Sequence, residues 1–121
     1  MKWIIIKQIE AAAKKSDKVA ISISKKHWWQ VFTATKQELI KGYLDGKVDI
    51  WGQYCALCKR FGDDWGNCGN CPLKDVNTGC CREWEIATEL WTPEDGHRWK
   101  HRAFQKAAKV MYKRLCNLSS K

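Results

Sequence analysis

Six of the chain's seven cysteines lie between Cys55 and Cys81, and this clustering constrains the fold more than any other feature. They come as Cys55-Ala-Leu-Cys58, then Cys68-Gly-Asn-Cys71-Pro72, then the vicinal pair Cys80-Cys81. A C-x-x-C step brings two thiolates to one point, and two such steps supply the four soft ligands of a tetrahedral structural zinc ion. Residues 52–82 also hold five glycines and the first of two prolines. That is loop chemistry, with too little apolar material to order itself without a cross-link. The expected metal set is therefore Cys55, Cys58, Cys68 and Cys71, with Cys80 (or its neighbour Cys81) able to replace one of the four as ligand. Zinc is the first expectation. A [4Fe–4S] cluster is the alternative, because it too takes four thiolates and a cysteine-proline step is common beside it. A metal-free thiol or disulfide protein is the third reading. Cys116, far from the others in sequence, reads as a small buried residue.

The odd cysteine count fits a fully paired disulfide scaffold poorly. The early apolar run Trp3-Ile4-Ile5-Ile6 is too short, and too soon interrupted by Lys7 and Glu10, to be a secretory core. No stretch approaches the ~20 apolar residues of a membrane span. These features together predict a cytoplasmic protein in a reducing compartment, with no membrane partner.

The net charge of +9 is unevenly distributed. Residues 1–50 carry ten lysines against five acids, residues 51–96 four bases against eight acids, and residues 97–121 eight bases and no acid. A mildly acidic metal block flanked by basic arms suggests a polyanion partner, DNA or RNA, while a merely solvated basic surface is the plain alternative. The candidate nucleic-acid contacts are Arg98, Lys100, Arg102, Lys106, Lys109, Lys113 and Arg114.

Ile5, Ile6, Ile9, Ala12 and Ala13 recur at helical spacing and predict a first helix over residues 2–15. Ser16-Asp17 is a break and a helix cap. Val19, Ile21 and Ile23 alternate with small residues, which favours a strand, whereas residues 24–33 read as helix. Thr35-x-x-Glu38 is a capping box for a short helix to Lys41, stopped by Gly42. Asp45-Gly46 is a turn. Thr92-Pro93-Glu94-Asp95 predicts the start of a long basic helix, with Thr as cap and Pro at the first position. Its inward stripe is Phe104, Ala108, Met111 and Leu115. The expected architecture is mostly α: one small helical domain with a glycine- and cysteine-rich metal-binding loop insertion. Its parts are a basic helical segment 1–50, a metal-binding region 51–91 and a basic terminal helix 92–118.

Trp3, Trp28, Trp51 and Trp84 sit beside apolar or cysteine segments and are expected in the core. Trp29, Trp65, Trp91 and Trp99 are expected at the surface, where indoles among Lys and Arg suit single-stranded nucleic acid or a protein partner. His27, His97 and His101 read as solvent-facing or capping groups. His97 and His101, one turn apart, lack the glutamate of a catalytic zinc motif. No nucleophile motif or phosphate-cradling loop is present, so an enzymatic role is disfavoured.

The series Ser24-x-x-His27-Trp28, Cys55-x-x-Cys58, Cys68-Gly69-Asn70-Cys71-Pro72-Leu73 and Cys80, followed by an alanine-rich terminal helix, resembles a group of small cysteine-rich proteins of bacteriophages and mobile elements. The resemblance spans about residues 20–116 and rests on the cysteine spacing and the His-Trp step. It implies a viral origin, hence the host cytoplasm, and a build of helices plus a metal loop. It implies no activity. The chain departs from the group's pattern after Cys80, where Cys81-Arg82-Glu83-Trp84 replaces a Gly-Thr-Pro-Tyr-like step. Three functions follow from the sequence: a non-enzymatic metal-binding module contacting nucleic acid, an iron–sulfur protein of electron transfer or redox sensing, and a phage protein that docks on a host protein.

Overall fold

The computed structural model describes residues 2–51, 54–61 and 82–119. Among these the chain is mostly helical and contains no strand. Among the described residues the α-helices are, in order, α1 Ile6–Lys15, α2 Asp17–Thr33, α3 Lys36–Leu44, α4 Ala56–Phe61, α5 Arg82–Glu89 and α6 His101–Ser119. A 3-10 segment, Pro93–Arg98, precedes α6.

The alternating stretch of residues 18–24 is helix, not strand. Ser16 caps α2, its Oγ accepting from the Val19 N–H at 3.1 Å, and the helix then runs unbroken to Thr33. The buried stripe is Ala20, Ser24, His27, Trp28 and Val31, at helical spacing. Three of those residues are small or polar, so the larger Val19, Ile21 and Ile23 dominate a reading by hydrophobicity although they are only half-buried. The small residues let α2 lie against α6, its most extensive helical contact.

α1 begins four residues later than its sequence stripe suggested. Residues 2–4 are irregular and are held by the buried amide of Gln30. Its Oε1 accepts from Ile4 N–H at 3.1 Å and its Nε2 donates to the Lys2 carbonyl at 2.7 Å. Ile4 is thereby buried while Ile5 is left exposed.

The Thr35–Glu38 capping box forms as expected, with Glu38 N–H on Thr35 Oγ1 at 3.1 Å and Thr35 N–H on Glu38 Oε1 at 2.9 Å. The helix does not stop at Gly42. It continues to Leu44 and ends at Gly46, whose φ is +69°. Gly46 N–H bonds the Tyr43 carbonyl at 3.0 Å and Lys47 N–H bonds the Gly42 carbonyl at 2.8 Å, the paired closure of a Schellman motif. Gly42 has another purpose: a Cβ there would lie 2.7 Å from Val48 and 2.8 Å from the Trp3 indole nitrogen.

The long terminal helix is shorter than expected. Thr92 makes no side-chain cap, and Gly96 (φ 60°, ψ −128°) breaks the helical path. The chain turns through Trp99 and restarts as α6 at His101. Ile9, Trp28, Val31, Leu39, Ile50, Leu57, Trp91, Trp99, Phe104, Met111 and Leu115 share one buried cluster.

Candidate metal centre and basic helix face

The approach to the first cysteine pair is fixed by polar contacts to the helices. Asp49 is the centre of this junction. Its carbonyl accepts from His27 Nε2 at 2.9 Å, and its Oδ1 accepts from Ile50 N–H and Trp91 Nε1, both at 2.8 Å. Trp84 Nε1 donates to the Ile50 carbonyl at 2.7 Å. The His27 ring stacks on Tyr54, with centroids 6.0 Å apart. Val48, Ile50, Tyr54 and Cys55 are all buried as a result.

His27 is therefore not solvent-facing. Because its Nε2 is bonded to a carbonyl, that nitrogen carries the proton, which leaves Nδ1 as the unprotonated one. Nδ1 has no hydrogen-bond partner among the described residues, and neither has the buried Ser24 Oγ one turn earlier. Burial lowers the His27 pKa to about 4 against the raising effect of the Asp49 carbonyl. Burial likewise raises Asp49, offset by its hydrogen bonds from Ile50 and Trp91. It raises Tyr54 as well, with the Asp49 charge adding to the effect. His101 is lowered by burial and by the nearby Lys36 charge.

Cys55 is buried immediately ahead of α4, and its carbonyl accepts from Lys59 N–H at 3.1 Å. Cys58 follows on the helix itself, so the first C-x-x-C step is a helical turn and not the loop that its composition suggested. α4 is tied to the first two helices. Arg60 donates to the Ala13 carbonyl at 2.7 Å and pairs with Asp17, and Lys59 Nζ lies 3.8 Å from Glu10. Cys68, Cys71, Cys80 and Cys81 lie outside the described residues, as does Trp65. Among the described residues, no three His, Cys, Asp or Glu side chains converge as a metal site would require.

The candidate nucleic-acid residues are described in full. Arg98 and Lys100 are exposed ahead of α6. On α6, Arg102, Lys106, Lys109 and Lys113 are exposed and occupy one sector about 60° wide on a helix of ~3.6 residues per turn. That sector lies opposite the buried stripe Phe104, Ala108, Met111 and Leu115. The helix contains no acidic residue, and among the described residues none of the four is ion-paired. Arg114 differs: it is partly buried and its Nε lies 3.6 Å from Glu83. Val110, 55% exposed, borders the basic sector. The sequence reading did not single it out, although it lies one turn from Lys106 and off the inward stripe.

Two indoles expected at the surface are core residues. Trp91 and Trp99 are buried and pack edge-on at 5.5 Å, each also against Phe104. Trp99 Nε1 donates to the Leu90 carbonyl at 2.8 Å. Trp28 is buried and Trp29 half-exposed, both as expected. Trp3 and Trp84 pack against the core partly buried, but Trp51, expected inside, is half-exposed.

A groove of about 460 Å³ lies between α1 and α2, lined by Ala11, Ala12, Val19 and Ile23 with Lys15 and Lys26 among its polar neighbours. No helix of the described residues is long and apolar enough to cross a membrane. Comparison with protein-family models, with curated proteins and with solved structures gave no match to this chain.

Proposed function

We propose that this chain is a small, non-enzymatic metal-binding protein of phage origin that contacts nucleic acid through α6. The observation that carries the reading is the row Arg102, Lys106, Lys109 and Lys113. These four like charges share one solvent-facing sector of a helix without acids. Four like charges so placed repel one another, and a polyanion relieves that repulsion. Arg98 and Lys100 extend the positive surface beyond the helix start.

In this reading Cys55, Cys58, Cys68 and Cys71 hold zinc, with Cys80 able to replace one of the four. The donor chemistry fits: the ligands are thiolates, and Cys55 sits at a junction secured on several sides by hydrogen bonds. The ion would cross-link the glycine-rich segment and carry no reaction. An iron–sulfur cluster on the same thiolates is the alternative. Docking on a host protein through indoles is less favoured, because Trp91 and Trp99 are committed to the core.

Nucleic-acid binding is tested by titrating labelled DNA and RNA with the protein across a salt series. Affinity should fall steeply with salt, through counterion release. An undetectable or salt-insensitive interaction removes the proposal. Elemental analysis together with an absorption spectrum of protein purified without oxygen separates the two metal readings. Bound zinc in a colourless protein excludes the cluster, and iron with visible absorption excludes zinc.

A further inference from the structure

Building on the proposed nucleic-acid contact, we infer that the α6 face binds double-stranded DNA chiefly through its phosphates. Three observations bear on the class of ligand. The first is the absence of a stacking platform. Single-strand binders interleave basic groups with exposed aromatic rings. The α6 sector has none, since its one aromatic pair, Phe104 and Tyr112, is buried or turned onto Phe32, the Tyr112–Phe32 centroids lying 5.1 Å apart. Trp29 and Trp51, the half-exposed indoles among the described residues, stand on other segments.

The second is the scarcity of groups in the row that discriminate bases. Arg and Lys bind phosphates and can also read guanine, amides read adenine, and acids read cytosine. The helix carries no acid, Gln105 is turned inward to the Phe32 carbonyl at 3.2 Å, and Asn117, one turn beyond Lys113, is the exposed amide. Val110 borders the row.

The third is shape. Arg102, Lys106, Lys109 and Lys113 span about 16 Å along the helix axis at ~1.5 Å per residue. This row is a rigid rail fixed to the core by the opposite face of the same helix. A rigid rail matches the regular phosphates of a duplex better than a flexible strand. The ~12 Å major groove of B-form DNA also admits a helix, whereas the deep, narrow groove of duplex RNA does not.

Fluorescence anisotropy with a labelled DNA duplex, its separated strands and an RNA duplex of matching sequence tests the inference. The DNA duplex should bind at least several-fold tighter than the others and equally well when its sequence is scrambled. Four phosphate contacts give a log–log salt slope near −3.6, so affinity should drop ~10²-fold between 50 and 200 mM salt. Neutralising the row (Arg102→Gln, Lys106→Gln, Lys109→Gln, Lys113→Gln) should flatten most of that slope while helix content stays unchanged by circular dichroism. Trp29→Ala should leave duplex affinity as it was. Tighter binding to the single strands or to duplex RNA, or loss of binding in the Trp29 variant, would overturn the duplex assignment while sparing nucleic-acid binding itself. Absence of binding to any of the three removes both.

Discussion

Folding removes the His27 imidazole from water and compensates one nitrogen, through the Asp49 carbonyl. The folded protein therefore holds the ring neutral, with a pKa of about 4 against an ordinary 6.5. Between those values the unfolded chain binds a proton that the folded chain does not, so stability falls as the medium is acidified. Above pH 6.5 the contribution is level. The slope reaches about 1.4 kcal/mol per pH unit, and the whole effect is on the order of 3 kcal/mol. Asp49 acts in the opposite sense. Its carboxyl is raised by burial, so its contribution grows as pH falls through that raised value. His27→Gln keeps a donor for the carbonyl but removes the titration. Urea midpoints of the two proteins, followed from pH 7 to 4, should show the wild-type advantage shrinking by about 3 kcal/mol. A pH-independent difference would mean that His27 does not titrate in this range. The burial of His27 could have been read from the sequence, because Ala20, Ser24, His27, Trp28 and Val31 repeat at helical spacing. The hydrophobic alternation of Val19, Ile21 and Ile23 concealed it. The burial of Trp91 was not legible because it lies two residues beyond α5 and depends on Trp99 and Phe104, contacts that spacing does not display.

At the scale of elements, the Ser16 and Thr35 caps and the Gly46 turn were legible, whereas the expected Thr92 cap does not form and the role of Gly42 was hidden. Ser16 and the Thr35–Glu38 box act locally, through hydrogen bonds reaching three residues, so the sequence displays them directly. Gly42 looks like a helix terminator, yet its role is set by Trp3 and Val48, which approach from before and after the helix. Gly42→Ala should therefore destabilise the protein by about 1–3 kcal/mol through overpacking, despite a propensity gain of about 1 kcal/mol. Gly46 is the terminator, and its surroundings are open. Gly46→Asn should cost little, because asparagine tolerates the left-handed region, while Gly46→Val should cost about 1–2 kcal/mol through backbone strain alone. Thermal or urea unfolding of the three variants distinguishes the two glycines. Equal stability of Gly42→Ala and wild type would show that Trp3 and Val48 do not pack there. The split before α6 follows the same pattern: Gly96 was visible as a weak point, but the +60° φ that breaks the helix depends on how Trp99 docks against Leu90 and Phe104.

Across the whole molecule, the two proposed sites differ in how sequence encodes them. The basic row is a property of one helix, so its period alone brought Arg102, Lys106, Lys109 and Lys113 together. Convergence of Cys55 and Cys58 with Cys68, Cys71 and Cys80 depends on the path of the intervening chain, which spacing suggests but does not determine. The described helices also bear on what metal removal should do. Trp28, Val31, Phe104, Ala108, Met111 and Leu115 bury one another between α2 and α6 without help from a cysteine. Cys55 and Leu57 join the same cluster from the edge of the metal segment. A finger domain without such a core unfolds when its zinc is taken away. If zinc is bound as proposed, chelation should lower the thermal midpoint, because the ion would no longer cross-link the chain between α4 and α5. It should leave most of the far-ultraviolet helical signal in place, because α1, α2, α3 and α6 retain their burial. Circular dichroism before and after treatment with a chelator under reducing conditions checks this. Collapse of the helical signal would mean that the core depends on the ion. An unchanged midpoint would mean that no ion cross-links the segment, in which case the cysteine spacing has another cause.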